Sequence, residues 1–124
     1  MVNVKEKVYR AIKDILNDVT DSWPQDWADS GRIIYTEEEN KSYERSGAKT
    51  LKSYCRYRID ILMNESTSVI AGMVDAALAC DSENHGLGMT RTMCTDDNNG
   101  SKKHKIMRYE CIVDETNERI YGIS

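Results

Sequence analysis

The chain holds one proline, two histidines, no closely spaced cysteine pair and no apolar run approaching the ~20 residues of a membrane span, and each shortage removes a class of function. His85 and His104 are isolated, and Cys55, Cys80, Cys94 and Cys111 contain no C-x2-C pair, so a zinc site lacks its ligand spacing. The N-terminal stretch from Met1 to Lys7 has no apolar secretory core, which leads to the expectation of a protein that stays in the cytoplasm where it is made. In that compartment the four cysteines read as reduced, mostly buried small hydrophobes, dispensable for assembly, rather than as two disulfides. No G-x-S-x-G, H-E-x-x-H, P-loop or G-x-G-x-x-G occurs, and no histidine base stands beside serine or cysteine in a nucleophile's spacing. Neither an enzymatic activity nor a cofactor is therefore expected. Two oxygen-rich loops fail as calcium sites. In the loop opened by Asp81, Glu83 and His85 the closing glutamate's position falls on Thr92, and the run from Asp96 to Gly100 also lacks that glutamate.

What is present fits one domain spanning residues 1–124. A chain of 14.2 kDa buries roughly two thirds of its unfolded surface around one core. A net charge of −4 with 31% charged residues favours solubility and disfavours general affinity for nucleic acid or anionic lipid, which needs a basic excess.

The most ordered pattern is the run from Leu51 to Met63. Leu51, Ser53, Cys55, Tyr57, Ile59, Ile61 and Met63 alternate with Lys52, Tyr54, Arg56, Arg58 and Asp60, the period of a strand buried on one face and wetted on the other. Before it, residues 3–19 place Val4, Val8, Ile12, Ile15, Leu16 and Val19 on one helical side, with Asn3 as N-cap. Residues 20–31 break periodicity around Pro24, and Trp23 and Trp27 are expected to fold over the helix end. Residues 32–37 read as a short strand, and 40–50, holding Gly47, as the linker to the long one. Ser66 to Ser68 cap a second helix with Ile70, Met73, Val74, Ala77 and Leu78 inward, ending near Cys80. Strands are then expected over 87–95 and 105–113, joined by a charged loop, with a last short edge strand over 119–122. This gives an α+β domain in the order α-β-β-α-β-β. A mostly antiparallel sheet of about four to five strands carries two helices on one face.

The first helix is one of three surfaces that suit interaction, and the other two are charged. If the first two strands pair antiparallel, some of Glu37, Glu38 and Glu39 can face Lys52, Arg56 or Arg58, each pair contributing about 0.2–1 kcal/mol. The competing reading, nucleic-acid contact by Tyr54, Arg56 and Arg58, is disfavoured by the acidic segment beside it. The second charged surface is the hairpin tip with Asp96, Asp97, Lys102, Lys103 and Lys105, acidic in one half and basic in the other.

The succession of Ile33 to Asn40, Ser53 to Ile61, Ser66 to Ser68, Gly86 to Arg91 and His104 to Tyr109 resembles small tail-completion proteins of tailed bacteriophages and prophages of Gram-positive hosts, which are similar to phage tail terminators. The resemblance runs from the first helix to the last strand. It implies an α+β subunit that forms a homohexameric ring on the head-proximal end of the tail tube. Such a ring stops tube polymerisation and joins the tail to the head connector. The implied partners are further copies of the chain, the tail tube protein and the connector or stopper protein, with DNA passing through the ring unread. The implied location is the virion tail or neck, assembled in the host cytoplasm. The resemblance also implies that the hairpin from Thr95 to His104 reaches a neighbouring subunit or the tube. A head-completion or stopper protein and a monomeric binding domain of a mobile element acting on a host protein remain as alternatives.

Overall fold

The computed structural model describes residues 2–23, 31–79, 86–98 and 102–122. Its first element is the helix α1, Val4–Ile12. Asn3 caps it, its Oδ1 accepting the Glu6 N–H at 3.1 Å, and Glu6 pairs with Arg10 one turn on at 2.7 Å. Val4, Val8 and Ile12, spaced by four, form the buried stripe. The helix stops well short of residue 19. The Ile15 N–H turns onto the Ile12 carbonyl at 3.0 Å, and the chain is drawn into the sheet as β1, Val19–Thr20, parallel to the next strand. The ion pair Arg32–Asp18 at 2.6 Å and the bond from the Ile33 N–H to the Asp18 carbonyl fix that docking. Ile15, Leu16 and Val19 still pack on the core, so tertiary pairing satisfies the apolar positions that helical periodicity had accounted for.

Strand β2, Arg32–Ser46, continues nine residues beyond the expected end and absorbs most of the supposed linker. It pairs antiparallel with β3, Lys49–Met63, as a long hairpin. Ser46 pairs with Lys49 across a two-residue loop of Gly47 and Ala48. Gly47 has φ of +61° and Ala48 a negative φ, so glycine stands at the first central position of the tight turn that suits the strand twist. Residues 40–49 are exposed, and Tyr43 is 63% accessible.

Helix α2, Ser68–Ala79, begins where expected: the Ala71 N–H bonds the Thr67 carbonyl and the Ser66 hydroxyl accepts the Ser68 N–H. It buries Ala71, Val74 and Leu78, with Ile70 and Ala77 half-buried, but Met73 is 46% exposed and not a core residue. The helix is apolar nearly all round, so its sequence does not select which stripe faces inward. Strands β4, Thr90–Asp96, and β5, Lys103–Asp114, form a second antiparallel hairpin, and β6, Ile120–Tyr121, pairs with β5 beyond the end of β4. The fold is thus α+β with two helices and a mostly antiparallel six-stranded sheet in the order β1-β2-β3-β5-β4. The edge strand β6 is the last short strand expected over 119–122, and the added strand β1 raises the count above four to five.

Both helices cover one face. Val4, Val8, Ile12, Val74 and Leu78 pack on Ile33, Cys55, Tyr57, Ile59, Ile61, Met107, Tyr109 and Cys111. Tyr57 and Tyr109 lie opposite each other, fully buried, and each hydroxyl reaches a carboxylate, Glu37 at 2.8 Å and Asp75 on α2 at 2.9 Å. Among the described residues no helix is long and apolar enough to cross a membrane. Trp27, Pro24, Cys80 and the loop holding Asp81, Glu83 and His85 lie outside the described residues.

Replacing Gly47 with alanine forces a Cβ into a left-handed conformation and should cost on the order of 1–2 kcal/mol locally. Amide exchange should accelerate over residues 40–50 while the β3–β5 amides keep their protection. Unchanged exchange in the arm would show that the turn does not set its stability.

Candidate interaction face

Alternation along β3 turns Tyr54, Arg56, Arg58, Asp60 and Leu62 away from the helices, and the register of β5 sets Ile112, Glu110, Arg108, Ile106 and His104 opposite them. On β2 a bulge falls between Glu37 and Glu39, so Glu37 stands opposite Tyr57 and Glu39 opposite Arg56, with Glu38 as the extra residue. The bulge splits the acidic run. Glu37 accepts from Tyr57 on the helix side, whereas Glu38 and Glu39 both serve the open face.

There the charges form a connected set. Arg108 forks onto Glu38 at 2.8 and 3.3 Å, with its third nitrogen 3.0 Å from the Met93 sulfur. Arg56 approaches Glu38 at 3.4 Å and Glu39 at 3.5 Å, though its buried Nε makes no hydrogen bond. The hydrogen bond from Arg108 holds the Glu38 carboxyl below the usual carboxylate range despite partial burial. Arg58 and Arg108 stand directly opposite each other. Like charges so placed repel, and each guanidinium turns to its own acid, Arg108 to Glu38 and Arg58 to Asp60. Of the expected partners for Glu37 to Glu39, Arg56 thus meets Glu38 and Glu39, while Arg58 turns to Asp60 and Lys52 reaches Glu44 at 3.6 Å.

Asp60 overturns the simple alternation. It points to the face expected to be wet, yet it is fully buried. Arg58 donates to its carboxylate from Nε at 2.9 and 3.1 Å and from Nη2 at 2.9 Å, and His104 Nε2 lies 2.7 Å away. Ile34, Leu62 and His104 are buried around it, and the Trp23 ring meets the imidazole edge-on at 6.0 Å between centroids. Trp23, 53% exposed, thus packs on this face of the sheet. The expected fold-over of the helix end is not what its ring does.

The second expected surface begins beside this cluster. Asp96 pairs with Lys105 at 2.9 Å, the Asp97 N–H bonds the His104 carbonyl at 2.8 Å, and the His104 N–H donates to Asn98 Oδ1 at 3.0 Å. Lys103 belongs to β5, opposite Met63, and Lys102 immediately precedes it. The connection between β4 and β5 is consequently shorter than the 95–104 loop, and residues 99–101 within it lie outside the described residues. His104 joins the two surfaces, its ring on Asp60 and its backbone on the hairpin. His104, Asp60, Arg108 and Glu110 escaped the sequence-derived candidates because strand register decides their partners.

Elsewhere, a cleft of about 400 Å³ lies at the base of the β2–β3 arm, lined by Asn40, Lys41, Ser42, Lys49, Thr50, Ser53 and Glu115. Its carboxylate is already engaged, accepting from Ser53 Oγ at 2.7 Å and the Val2 N–H at 2.8 Å. Among the described residues no three His, Cys, Asp or Glu side chains converge as a metal site requires. No protein-family model matches the chain, and no curated protein does. The face is therefore interpreted from its own geometry.

Replacing Asp60 with alanine strands the Arg58 and His104 donors and should cost about 3–5 kcal/mol, the usual result of removing one partner of a buried pair. Urea denaturation measures it, and a loss below about 1 kcal/mol would mean that water replaces the carboxylate freely. The tyrosines supply a second check. Burial, then the hydrogen bond to Glu110, pushes the Tyr54 phenol up to about 12, and burial drives Tyr57 and Tyr109 upward too. A phenol raised in the folded state contributes stability below its unfolded value near 10, and loses it as pH rises through the folded value. Ultraviolet titration should show a phenolic class ionising only as the sheet opens, and Tyr54→Phe should remove one phenol from it.

Proposed function

We propose that this chain is a structural subunit of the tail-terminator type, acting by self-association and docking. In this reading copies close into a homohexameric ring on the head-proximal end of a phage tail tube. The ring ends tube growth and meets the head connector or stopper protein. The observation that carries the reading is the division of the sheet. One face is covered by α1 and α2, and the other holds Glu38, Glu39, Arg56, Arg58 and Arg108 in a connected set of charges, with residues 40–49 of the β2–β3 hairpin exposed beyond it. Head-to-tail contact between two different surfaces of one chain closes a ring when the rotation permits. The order of elements running through the whole chain supports the same reading.

In this reading, roles follow position. The paired arginines and glutamates present a patterned potential that discriminates between partners more than it adds raw affinity. Glu37 is excluded from that surface by its bond to Tyr57. The tip residues Asp96, Asp97, Lys102, Lys103 and Lys105 serve the axial contact, to the tube or the connector.

Reversing charge at Lys102 and Lys103 together (K102E with K103E), both only half-buried, should leave the subunit folded, since ion pairs still in reach of solvent rarely contribute more than about 1 kcal/mol. Head joining and tail length should fail when this variant complements a deletion, as scored by electron microscopy. Normal particles at normal yield would move the docking surface to the open sheet face or the first helix. Imaging of particles tests the ring itself. A single isolated copy would overturn it, caps on portal-bearing heads instead of tubes would favour a stopper, and a chain that is monomeric at high concentration and absent from particles would favour a host-directed binding domain.

A further inference from the structure

Cys55 and Cys111 are 56 residues apart in sequence, yet the β3–β5 register sets them directly opposite each other. Residues so placed in an antiparallel pair have Cα atoms about 4.5–5.5 Å apart, inside the range of about 4.4–6.8 Å that a disulfide spans. Both side chains are fully buried on the helix-covered face, and both are free thiols. Interaction between the two thiols lowers the pKa of Cys55, while the same interaction and burial raise that of Cys111, so Cys55 is the first of the pair to ionise. Cys94, by contrast, is exposed on β4 opposite Met107.

We propose that Cys55 and Cys111 are a modification site: a dithiol that a small-molecule disulfide, such as glutathione disulfide, oxidises to a cross-strand bridge between the two central strands. The reaction is two successive exchanges. The Cys55 thiolate attacks one sulfur of glutathione disulfide, expelling glutathione thiolate and leaving a mixed disulfide. The Cys111 thiol, losing its proton to solvent, then attacks the Cys55 sulfur and expels a second glutathione. Two protein thiols are oxidised, one glutathione disulfide is reduced to two glutathiones, and no other reactant is needed. The buried sulfurs are inaccessible in the closed sheet, so the exchange belongs to folding or to transient opening of β3 from β5. In a reducing cytoplasm the pair stays reduced; in an oxidising medium it locks the centre of the sheet. The inference rests on strand register and is independent of the assembly reading.

The test uses the full chain carrying C80S and C94S, so that only the proposed pair remains. It is unfolded, reduced, and refolded in a mixture of reduced and oxidised glutathione. Nonreducing trypsin digestion should yield residues 53–56 joined to residues 109–119, separable by reductant. The oxidised chain should keep the circular dichroism spectrum of the reduced one and melt higher by about 10 °C, because the bridge closes a long loop in the unfolded chain. A natively folded chain whose two cysteines both alkylate after denaturation would overturn the proposal, as would a bridged chain without the native spectrum. If the double variant does not refold, the unmutated folded chain is held in the same mixture with urea below its transition, and a map lacking the 55–111 link then counts against the pair.

Discussion

The rest of the structure hangs on the ladder between β3 and β5, which runs without a bulge from Lys52 opposite Asp114 to Met63 opposite Lys103. A sheet of period two turns every side chain over if its register slips by one residue. A slip here would turn one strand over against the other, driving Arg56 and Arg58 beneath the helices and Tyr57 into water, or doing the same to Arg108 and Tyr109, so burial alone selects this pairing. The tyrosine hydroxyls narrow it further, because Glu37 and Asp75 receive them only at this depth. Irregularity is displaced outward. The bulges lie in the β2–β3 and β4–β5 pairings, whose outer strands are free to bend.

That register also creates the difficulty that the open face resolves. Arg58 and Arg108 become direct neighbours, and with Arg56 adjacent the centre of the face would be strongly basic. Three acids neutralise it from three strand positions: Asp60 two residues along β3, and Glu38 and Glu39 across the bulge. Removing the bulge would return Glu38 and Glu39 to opposite faces, leaving one of the two acids to answer Arg56 and Arg108. A short irregularity in an outer strand thus determines the electrostatics of the central pair.

Much of this was legible in the chain because particular residues carried unambiguous signals. Strand β3 announced itself by alternation, Asn3 and Ser66 by capping chemistry, and the β4–β5 hairpin by polar residues between two apolar-alternating runs. The failures share a cause. The second half of β2 is polar on both faces, so nothing local distinguishes it from a linker; pairing to β3 makes it a strand. The segment 13–19 keeps helical spacing, but three of its apolar residues are satisfied by docking on the core from a turn and the short β1. Asp60 reads as a solvent-facing charge until Arg58, His104 and Trp23 assemble over it. Met73 was misplaced because an almost uniformly apolar helix has no polar side to orient it. Each depends on contacts between residues distant in sequence, and spacing along one segment does not encode them.

The arm formed by the distal half of β2 and β3 bears on how copies of the chain meet in the proposed ring. Strand β1 covers β2 only at Ile33 and Ile34, so the remainder of the β2 edge has no strand beside it among the described residues. A long free edge invites indiscriminate strand addition, an aggregation hazard for any protein present at high local concentration. This edge carries Lys41, Glu44 and Arg45 and three register shifts, between Glu37 and Glu39, Ser42 and Glu44, and Glu44 and Arg45. Shifts of this kind interrupt the even spacing of backbone donors and acceptors that an incoming strand must match. The arm is thereby poorly suited to main-chain pairing and well suited to contact through side chains, with Tyr43 as its large exposed anchor. Side-chain contact discriminates between surfaces, whereas strand addition accepts any extended segment. A subunit that must close a ring with its own copies and still avoid open-ended polymerisation is better served by the first.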